Sequence, residues 1–500
     1  MEHERDQDSK SALNFEENIR KTYNSRICKS LQNANNFVRS ANECNESETR
    51  IAALGTTRDD SQGKYPNDIN EPCGEVPSPS NPSGRGDHQS RLTTHTSFHE
   101  NRVVGTLHPQ ILVINSGSSS LKFSLLDPES TNISAYGIAE RLRTAQASLR
   151  LTDLHGAKRE ENLPAADHHV ALLRAIEILS ENAPLEVRAI GHRVVHGGEY
   201  FRRAALITDE VLQRIEDLVS LAPLHNPANA QGIRVATELF PGKPQVAVFD
   251  TAFHQTLPPH AFHYPIPYNY YERYRVRRYG FHGTSHQYVG QEAARRLGKR
   301  FDEVQLISAH LGNGCSVTAI RFGKSVDTTM GLTPLEGLAM GTRSGDVDPN
   351  LHLFLQNHAK LSLQEITDLL NQESGLRGVS GESHDMRMVA AAAAKGNARA
   401  ALAIDIFCYR AARAILGLAA GLTAIDAVIF TGGIGENDVA VRAKVLEHLT
   451  ILKPKLDPHR NKQHGKESGG RITADSGLQC LVIPTNEELM IANETVRLIS

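Results

Sequence analysis

Hydrophobic and polar positions along the chain first predict a strand–turn–strand near residue 110. Ile111–Ile114 is an apolar run, Asn115–Ser120 is a polar turn, and Leu121–Leu126 alternates in polarity, which is typical of a β-hairpin. A second hairpin is predicted where Gln305–His310 and Ser316–Ile320 flank a turn containing Gly-Asn-Gly. The similarity of the two turns favours a duplicated domain, and two unrelated hairpins remain the alternative.

Strands and helices then alternate along the chain. Short apolar runs predict strands at Val246–Phe249, Ala427–Phe430 and Leu481–Ile483. Apolar residues at helical spacing predict helices at His169–Ser180, Asp209–Leu221, Ala228–Phe240, Ser285–Leu297 (with Ser285 as the N-cap), Ala398–Ala420 and Glu487–Leu498. This alternation is typical of an α/β fold.

The first 108 residues differ from the rest in composition. They contain 16 Val, Ile, Leu or Phe residues, too few to offset the entropy of ordering, and we predict an N-terminal extension, residues 1–108, that is mostly disordered. They carry 13 basic and 16 acidic side chains and therefore the whole formal charge of −3, whereas the rest of the chain has 41 of each. Such a balanced body argues against a protein that binds nucleic acid by charge.

Targeting signals are also not predicted. The N-terminus is charged and lacks the apolar segment of a secretory signal, and no apolar run is long enough to span a membrane. The six cysteines form no Cys-x-x-Cys pair, which suits a reducing compartment. We expect a cytoplasmic protein that binds neither membranes nor nucleic acid.

Polar turns at strand ends are candidates for phosphate binding. Asn115–Lys122 offers hydroxyls, backbone N–H groups and an ammonium group near a tight turn, although the chain has no Walker A motif. The turn at residues 312–314 and the Gly-rich Gly432–Asn437 segment after a strand would let backbone approach a nucleotide closely.

Charged residues next to strand ends are candidates for binding the reacting groups. Arg193 and Arg343 lie among glycines, where a guanidinium could hold a carboxylate or phosphate, and a surface ion pair with Asp346 or Asp348 is the plainer interpretation for Arg343. Asp250 and Glu487 follow apolar strands, and carboxylates there often hold Mg²⁺ through water; an acidic first helical turn is the alternative for Glu487.

Nine segments, in this order, together resemble the acetate kinase family. They cover about residues 111–500 and read VINSGSSSLKFSLLD, GHRVVHGGEYF, LAPLHNPAN, FDTAFHQTLP, YGFHGTSHQYV, AHLGNGCSV, DTTMGLTPLEGLAMGTRSGDVDP, FTGGIGEN and PTNEELMIA. The resemblance implies an α/β fold of two duplicated actin-like ATPase domains, related to ribonuclease H, with the active site in the cleft between them. It implies an N-terminal kinase domain at residues 109–250 plus 488–500 and a C-terminal nucleotide-binding domain at residues 251–487.

The resemblance also implies roles for individual residues. Asp250, His282, Arg343 and Arg193 would be catalytic, with His282 and Arg343 stabilising the transition state and His225 nearby. Arg193, Val195, Leu224, Phe281 and Pro334 would bind the acyl substrate, and Asn115 and Glu487 would be linked to the metal. The nucleotide would contact Ser118, Ser120, Lys122, His310, Leu311, Gly312, Asn313, Gly314, Asp385, Met386, Arg387, Gly433, Ile434, Gly435, Glu436 and Asn437. Residues Asn461–Gly470 are expected to form a surface loop away from the site.

The implied reaction is reversible phosphorylation of acetate by ATP, giving ADP and acetyl phosphate by direct in-line transfer. Mg²⁺ is the implied metal, with Mn²⁺ as a substitute, and a homodimer is implied. A kinase of propionate or butyrate is the nearest alternative, because one methylene changes binding by only about 1–3 kcal/mol. A nucleotide-dependent scaffold that hydrolyses ATP without a small acceptor is the alternative from another class.

Overall fold

The computed structural model describes residues 110–127, 129, 132–181 and 185–500. They belong to the second of two units into which the chain divides between Glu100 and Asn101. The N-terminal extension that the composition predicts lies outside the described residues.

The first sheet contains the predicted hairpin at its centre. Strand β1 pairs antiparallel with β2 and parallel with β6, and the order across the sheet is β5-β4-β3-β2-β1-β6-β8-β7. The strands are β1 Gln110–Ser116, β2 Ser120–Leu126, β3 Ile133–Glu140, β4 Ser148–Thr152, β5 Lys158–Asn162, β6 Val187–Val194, β7 Ala205–Leu206 and β8 Gln245–Phe249. The prediction had missed the antiparallel strands β3–β5.

The second sheet repeats the start of the first. Strand β9 pairs antiparallel with β10 and parallel with β12, in the order β11-β10-β9-β12-β13, so the predicted second hairpin is confirmed. The strands are β9 Gln305–Leu311, β10 Cys315–Arg321, β11 Lys324–Thr328, β12 Ala427–Thr431 and β13 Gln479–Val482. Because β1 and β9 have the same kinds of neighbours, the two polar turns occupy equivalent positions in the two sheets.

Helices connect and cover the strands. They are α1 His168–Leu179, α2 Asp209–Asp217, α3 Asn226–Leu239, α4 Pro259–Phe262, α5 Asn269–Tyr274, α6 Gly283–Arg296, α7 Leu351–His358, α8 Leu363–Gln372, α9 Gly375–Ser380, α10 Met386–Ala394, α11 Ala398–Leu418, α12 Gly432–Asn437, α13 Val439–Glu447, α14 Pro458–Lys462 and α15 Glu487–Ile499. In the described part of the chain, no helix has the length and apolarity needed to cross a membrane. The predicted cap at Ser285 is wrong, because α6 begins at Gly283 with His282 as its N-cap.

Packing links the end of the chain and the segment after β6 to both sheets. The last helix, α15, packs against β1, β6 and β8 of the first sheet. Val195, directly after β6, is buried with Phe281, Met330 and Met340 in the core that covers the second sheet. The α/β prediction is confirmed, and the exact domain boundaries stay a prediction.

Candidate active site

Ends of the parallel strands in the first sheet bring four predicted site residues together. Arg193 lies on β6, and its Nε and Nη2 donate to the two carboxylate oxygens of Asp250, directly after β8, at 3.0 and 2.5 Å. Its Nη1 lies 3.4 Å from Oδ1 of Asn115 on β1, and its Nε lies 3.7 Å from a carboxylate oxygen of Glu487 at the start of α15. Carboxyl ends of adjacent parallel strands meet at one sheet edge, which explains this gathering.

Burial controls the electrostatics of this cluster. It raises the pKa of Asp250, a rise that Arg193 opposes and Glu487 reinforces. Burial likewise raises the pKa of Glu487, and Arg193 again opposes the rise while Glu488 adds to it. One guanidinium therefore faces several carboxylates, an arrangement that a further cation would stabilise.

A close approach fixes helix α6 against this cluster. The N–H of Gly283 donates to the carbonyl oxygen of Asp250 at 2.9 Å, and a Cβ on Gly283 would lie 2.2 Å from that oxygen. Glycine is therefore required where the helix starts. The preceding residue, His282, has φ of 56°, a left-handed conformation that costs a non-glycine residue about 1–2 kcal/mol.

His282 and His310 form a stacked pair beside the second polar turn. Their ring centroids are 4.3 Å apart, and a Cβ on Gly314 would lie 3.3 Å from Nε2 of His282. Burial lowers the pKa of His282 well below its usual value, helped by His310 and His286, and burial lowers the pKa of His310 to about 4. Both rings are therefore neutral at pH 7.

The guanidinium of Arg343 also lies beside Gly314. A Cβ on Gly314 would lie 3.5 Å from its Nη1, and that nitrogen donates to the carbonyl oxygen of Pro334 at 3.1 Å. The alternative ion pair with Asp346 or Asp348 is absent: these carboxylates accept from the N–H groups of Gly337 and Asn350, and within the described ranges no carboxylate pairs with Arg343. Its guanidinium is thus a half-buried cation left available for an anion.

Two segments that were assigned to the nucleotide meet beside the histidines: the turn at Gly312–Gly314, and the Gly-rich segment Gly432–Asn437, which forms the short helix α12 and is the Gly-rich turn after β12. A Cβ on Gly312 would lie 3.9 Å from the backbone nitrogen of Gly433, and one on Gly432 would lie 3.1 Å from Nε2 of His310. The carboxylate of Glu436 accepts from the N–H groups of Gly432 and Thr485 at 2.9 and 3.0 Å. Glu436 thereby holds the segment after β12 against the segment after β13.

The remaining predicted residues border these groups to different degrees. Val195 and Phe281 are buried, whereas the Leu224 side chain is 68 % exposed. Ser118 and Lys122 are exposed, while Asp385 is the N-cap of α10 and pairs with the exposed Arg387. The contacts of these side chains, including those of Val195 with Phe281 in one core and of Asp385 with Arg387, leave their assignment to the substrate and the nucleotide a prediction.

The described part of the chain matches a known protein family. The model of the acetokinase family matches residues 110–493. The chain is 49 % identical to an acetate kinase of Halothermothrix orenii over 78 % of its own length and 99 % of that protein. The chain belongs to the acetokinase family.

Solved structures of the acetokinase family have the same fold. A propionate kinase from Francisella tularensis is 43 % identical, with a TM-score of 0.75, covering 78 % of this chain and all of that one. An acetate kinase from Porphyromonas gingivalis is 40 % identical, with a TM-score of 0.74, covering 79 % of this chain and all of that one. The predicted fold class and family resemblance are therefore confirmed.

One expectation about this acetokinase-family chain is wrong. Residues Asn461–Gly470 were expected to lie away from the site, but Nδ1 of His464 lies 2.9 Å from the carbonyl oxygen of Glu436. Fully buried Arg442 donates to the carbonyl oxygens of Gly435 and Glu436, both at 2.9 Å, and to the side chain of Asn461 at 2.8 Å. Residues 461–470 therefore help to hold the backbone of the Gly-rich turn in place, through His464 and through the bond of Asn461 with Arg442.

Several residues of this family member were missed by reading the sequence. Ser316 bonds to His282, Ser285 bonds to His310, and Arg442 holds the Gly-rich turn. Ser285 was interpreted as a helix N-cap, and so its contact with His310 was not predicted. Ser316 is one of many polar residues on a strand, and nothing in the sequence distinguishes it. Nothing in the sequence alone pairs residues that are distant in the chain.

Proposed function

We propose that this protein transfers the γ-phosphoryl group of ATP to acetate, giving ADP and acetyl phosphate, and that it also catalyses the reverse reaction. Arg343 supports this proposal most directly, because it is a half-buried guanidinium without a carboxylate partner in the described chain and lies beside the turn at Gly314, next to His282. An anion bound there would complete the charge balance, and both acetate and a phosphoryl group are anions.

Positioning and charge neutralisation supply most of the catalysis of phosphoryl transfer. Arg193 and Arg343 would hold the acetate carboxylate and the transferring phosphoryl group, with an acetate oxygen attacking the phosphorus in line. The acetate methyl would lie against Val195, Phe281, Pro334 and Leu224. Acetate is already ionised at pH 7, so Asp250 orients Arg193 and is not needed as a base.

The nucleotide side of the proposal rests on the meeting of the two Gly-rich turns. Backbone of Gly312–Gly314 and the first-turn groups of Ser118, Ser120 and Lys122 would face the phosphates. The adenosine would lie between Gly433–Asn437 and Asp385–Arg387. Neutral His282 would donate a hydrogen bond to an equatorial phosphoryl oxygen, with His310 and His225 beside it.

Oxygen donors near Arg193 fit Mg²⁺, a hard cation that keeps several waters and takes few protein ligands. Asn115, Asp250 and Glu487 offer such oxygens, and no three His, Cys, Asp or Glu side chains of the described residues are grouped to bind a metal directly. These residues would hold Mg²⁺, or Mn²⁺, through water. When bound, the metal neutralises charge on the phosphates.

Glu487→Gln tests this metal assignment. We expect the Mg²⁺ concentration for half-maximal activity to rise roughly 10-fold or more, because one charged outer partner of the metal is lost. Steady-state rates at saturating ATP and acetate over a Mg²⁺ series measure the change. Glu494→Gln is the matched control, because Glu494 lies about two helical turns further along α15 and pairs with Arg497. Unchanged Mg²⁺ dependence in Glu487→Gln would remove Glu487 from the assignment.

Acetate is expected to be the best acyl substrate of a short series. Because one methylene changes binding by about 1–3 kcal/mol, kcat/KM for propionate should be roughly 10-fold or more below that for acetate, and butyrate lower again. Coupled measurement of ADP formation with each carboxylate gives these values. A higher kcat/KM for propionate would assign the protein to the propionate kinases instead.

The homodimer and the cytoplasmic location also belong to this proposal. Both rest on the resemblance to the acetokinase family. Sedimentation of the full chain should give a mass near twice 54.8 kDa. A mass of one chain over the working concentration range would contradict the dimer.

A further inference from the structure

Two neutral histidines at the proposed phosphoryl site each use Nδ1 to bond a buried serine. Nδ1 of His282 lies 2.9 Å from Oγ of Ser316, and Nδ1 of His310 lies 2.9 Å from Oγ of Ser285. Both serines are fully buried. A neutral imidazole carries one proton, so the role of Nδ1 decides what Nε2 can do.

Nε2 of each ring faces a Gly-rich turn. A Cβ built on Gly314 would lie 3.3 Å from Nε2 of His282, and one built on Gly432 would lie 3.1 Å from Nε2 of His310. Only a ring protonated at Nε2 can donate a hydrogen bond toward these turns. A ring protonated at Nδ1 would instead direct a lone pair at an anionic phosphoryl oxygen, which is repulsive.

The neighbour of Ser285 favours one direction for the bond at His310. Oγ1 of Thr485 donates to Oγ of Ser285 at 2.8 Å. The single hydroxyl proton of Ser285 is then available for donation to Nδ1 of His310. In that arrangement the His310 ring carries its proton on Nε2.

The bond at His282 belongs to a longer chain. Oγ of Ser316 lies between Nδ1 of His282 and Nε2 of His286, at 2.9 and 2.8 Å, and Nδ1 of His286 lies 3.0 Å from Oγ of Ser308. Ser316 has one hydroxyl proton, so it can donate to only one of the two rings. When Ser308 donates to His286, His286 donates to Ser316 and Ser316 donates to His282, which leaves the proton of His282 on Nε2.

An anion beside Nε2 of His282 selects this direction over its reverse. In the reverse arrangement His282 donates from Nδ1 to Ser316, and its Nε2 has no proton to give. A phosphoryl oxygen at that position stabilises the N–H donor and disfavours the lone pair. Ligand binding therefore fixes the directions of all three hydrogen bonds of the chain together.

We propose that Ser316 and Ser285 are positioning residues that hold the protons of His282 and His310 on Nε2, so that two neutral N–H donors face the phosphoryl oxygens; this rests on the proposed function. His286 and Ser308 extend the same control to His282. The serines act through the histidines and contact no reacting atom.

Histidine ¹⁵N chemical shifts test the proposal without turnover. With the full chain, ATP and Mg²⁺ in the absence of acetate, we expect protonated Nε2 and unprotonated Nδ1 for His282 and His310, assigned with His282→Gln and His310→Gln. In Ser316→Ala the His282 signals should move toward mixed tautomers while those of His310 stay. Protonated Nδ1 on either ring of the wild type, or an unchanged His282 in Ser316→Ala, would overturn the proposal.

Kinetics supply a second, independent readout. Ser316→Ala should lower kcat roughly 10- to 100-fold, since one preorganised donor is partly lost, with KM for ATP within about threefold. In the His282→Gln background the same change should have little further effect. Thr318→Val, on the same strand β10 as Ser316, is the control: it removes a buried hydroxyl bond to Thr328 on β11 without touching a histidine, and kcat should stay near wild type. Equal losses in Ser316→Ala and Thr318→Val would overturn the positioning role.

If Ser316→Ala does not fold, a second variant still tests the proposal. Ser285→Ala probes His310 by the same signals and belongs to helix α6, not to the sheet. If the tautomers are as proposed but no acetyl phosphate forms, the proposed function fails and the histidine assignment stands. If acetyl phosphate forms and the tautomers differ, only the present inference fails.

Discussion

Arg343→Ala is expected to lower kcat about a thousandfold while the protein stays folded. Loss of an arginine that neutralises transition-state charge in phosphoryl transfer costs roughly 10³–10⁵ in rate. The side chain donates to the carbonyl oxygen of Pro334 and pairs with no carboxylate in the described residues, so its removal leaves no buried charge behind. Steady-state kinetics with a thermal unfolding curve measure both effects.

Two comparisons make this result specific. Arg343→Lys keeps a point charge without the planar fork, and its kcat should lie between those of Ala and wild type. Arg321→Ala, at the far end of the seven-residue strand β10 and so roughly 20 Å from the turn at Cys315, should be close to wild type. Arg193→Ala should also lose most of kcat, together with stability, because Asp250 is left buried without its partner. Near-normal turnover in Arg343→Ala would contradict its assignment.

Arg442→Met is expected to lower the free energy of unfolding by about 3 kcal/mol or more and to raise KM for ATP. The guanidinium is fully buried and donates to carbonyl oxygens of Gly435, Glu436 and Asn461. Each buried acceptor left unpaired costs about 1–3 kcal/mol. Because two of these carbonyls belong to the Gly-rich turn, that turn loses its support and binds the nucleotide less well.

Denaturant unfolding and ATP saturation curves check this expectation. Arg497→Met, which removes an exposed pair with Glu494 on α15, is the control and should cost less than about 1 kcal/mol. KM for acetate should change less than KM for ATP in Arg442→Met. A loss of stability below about 1 kcal/mol with unchanged KM for ATP would show that the Gly-rich turn does not depend on Arg442.

Local patterns predicted the two hairpins and most of the long helices, because apolar periodicity is set by which face is buried. They missed strands β3–β5, whose exposed edge strand Lys158–Asn162 is nearly all charged and carries no apolar signal. They also misplaced the start of α6. A Ser resembles a cap, whereas the true N-cap is His282 in a left-handed conformation that tertiary contacts impose.

The sequence predicted only some of the residues that come together at the site. Asn115, Arg193 and Asp250 lie at ends of parallel strands, where sequence order already implies proximity, and the structure brings them together. The support from Arg442 and from residues 461–470 could not be predicted, because a polar loop has no signal for what it covers. The same holds for Ser316, whose partner His282 is 34 residues away.

Trapping with hydroxylamine measures directly whether the protein forms an acyl phosphate. The full chain is incubated with ATP, Mg²⁺ and acetate, and the acetyl hydroxamate is quantified against ADP. We expect hydroxamate equal to the ADP formed, dependent on acetate and nearly abolished in Arg343→Ala. ADP that forms at the same rate without acetate, and with no hydroxamate, would contradict it and identify a nucleotide-hydrolysing scaffold instead.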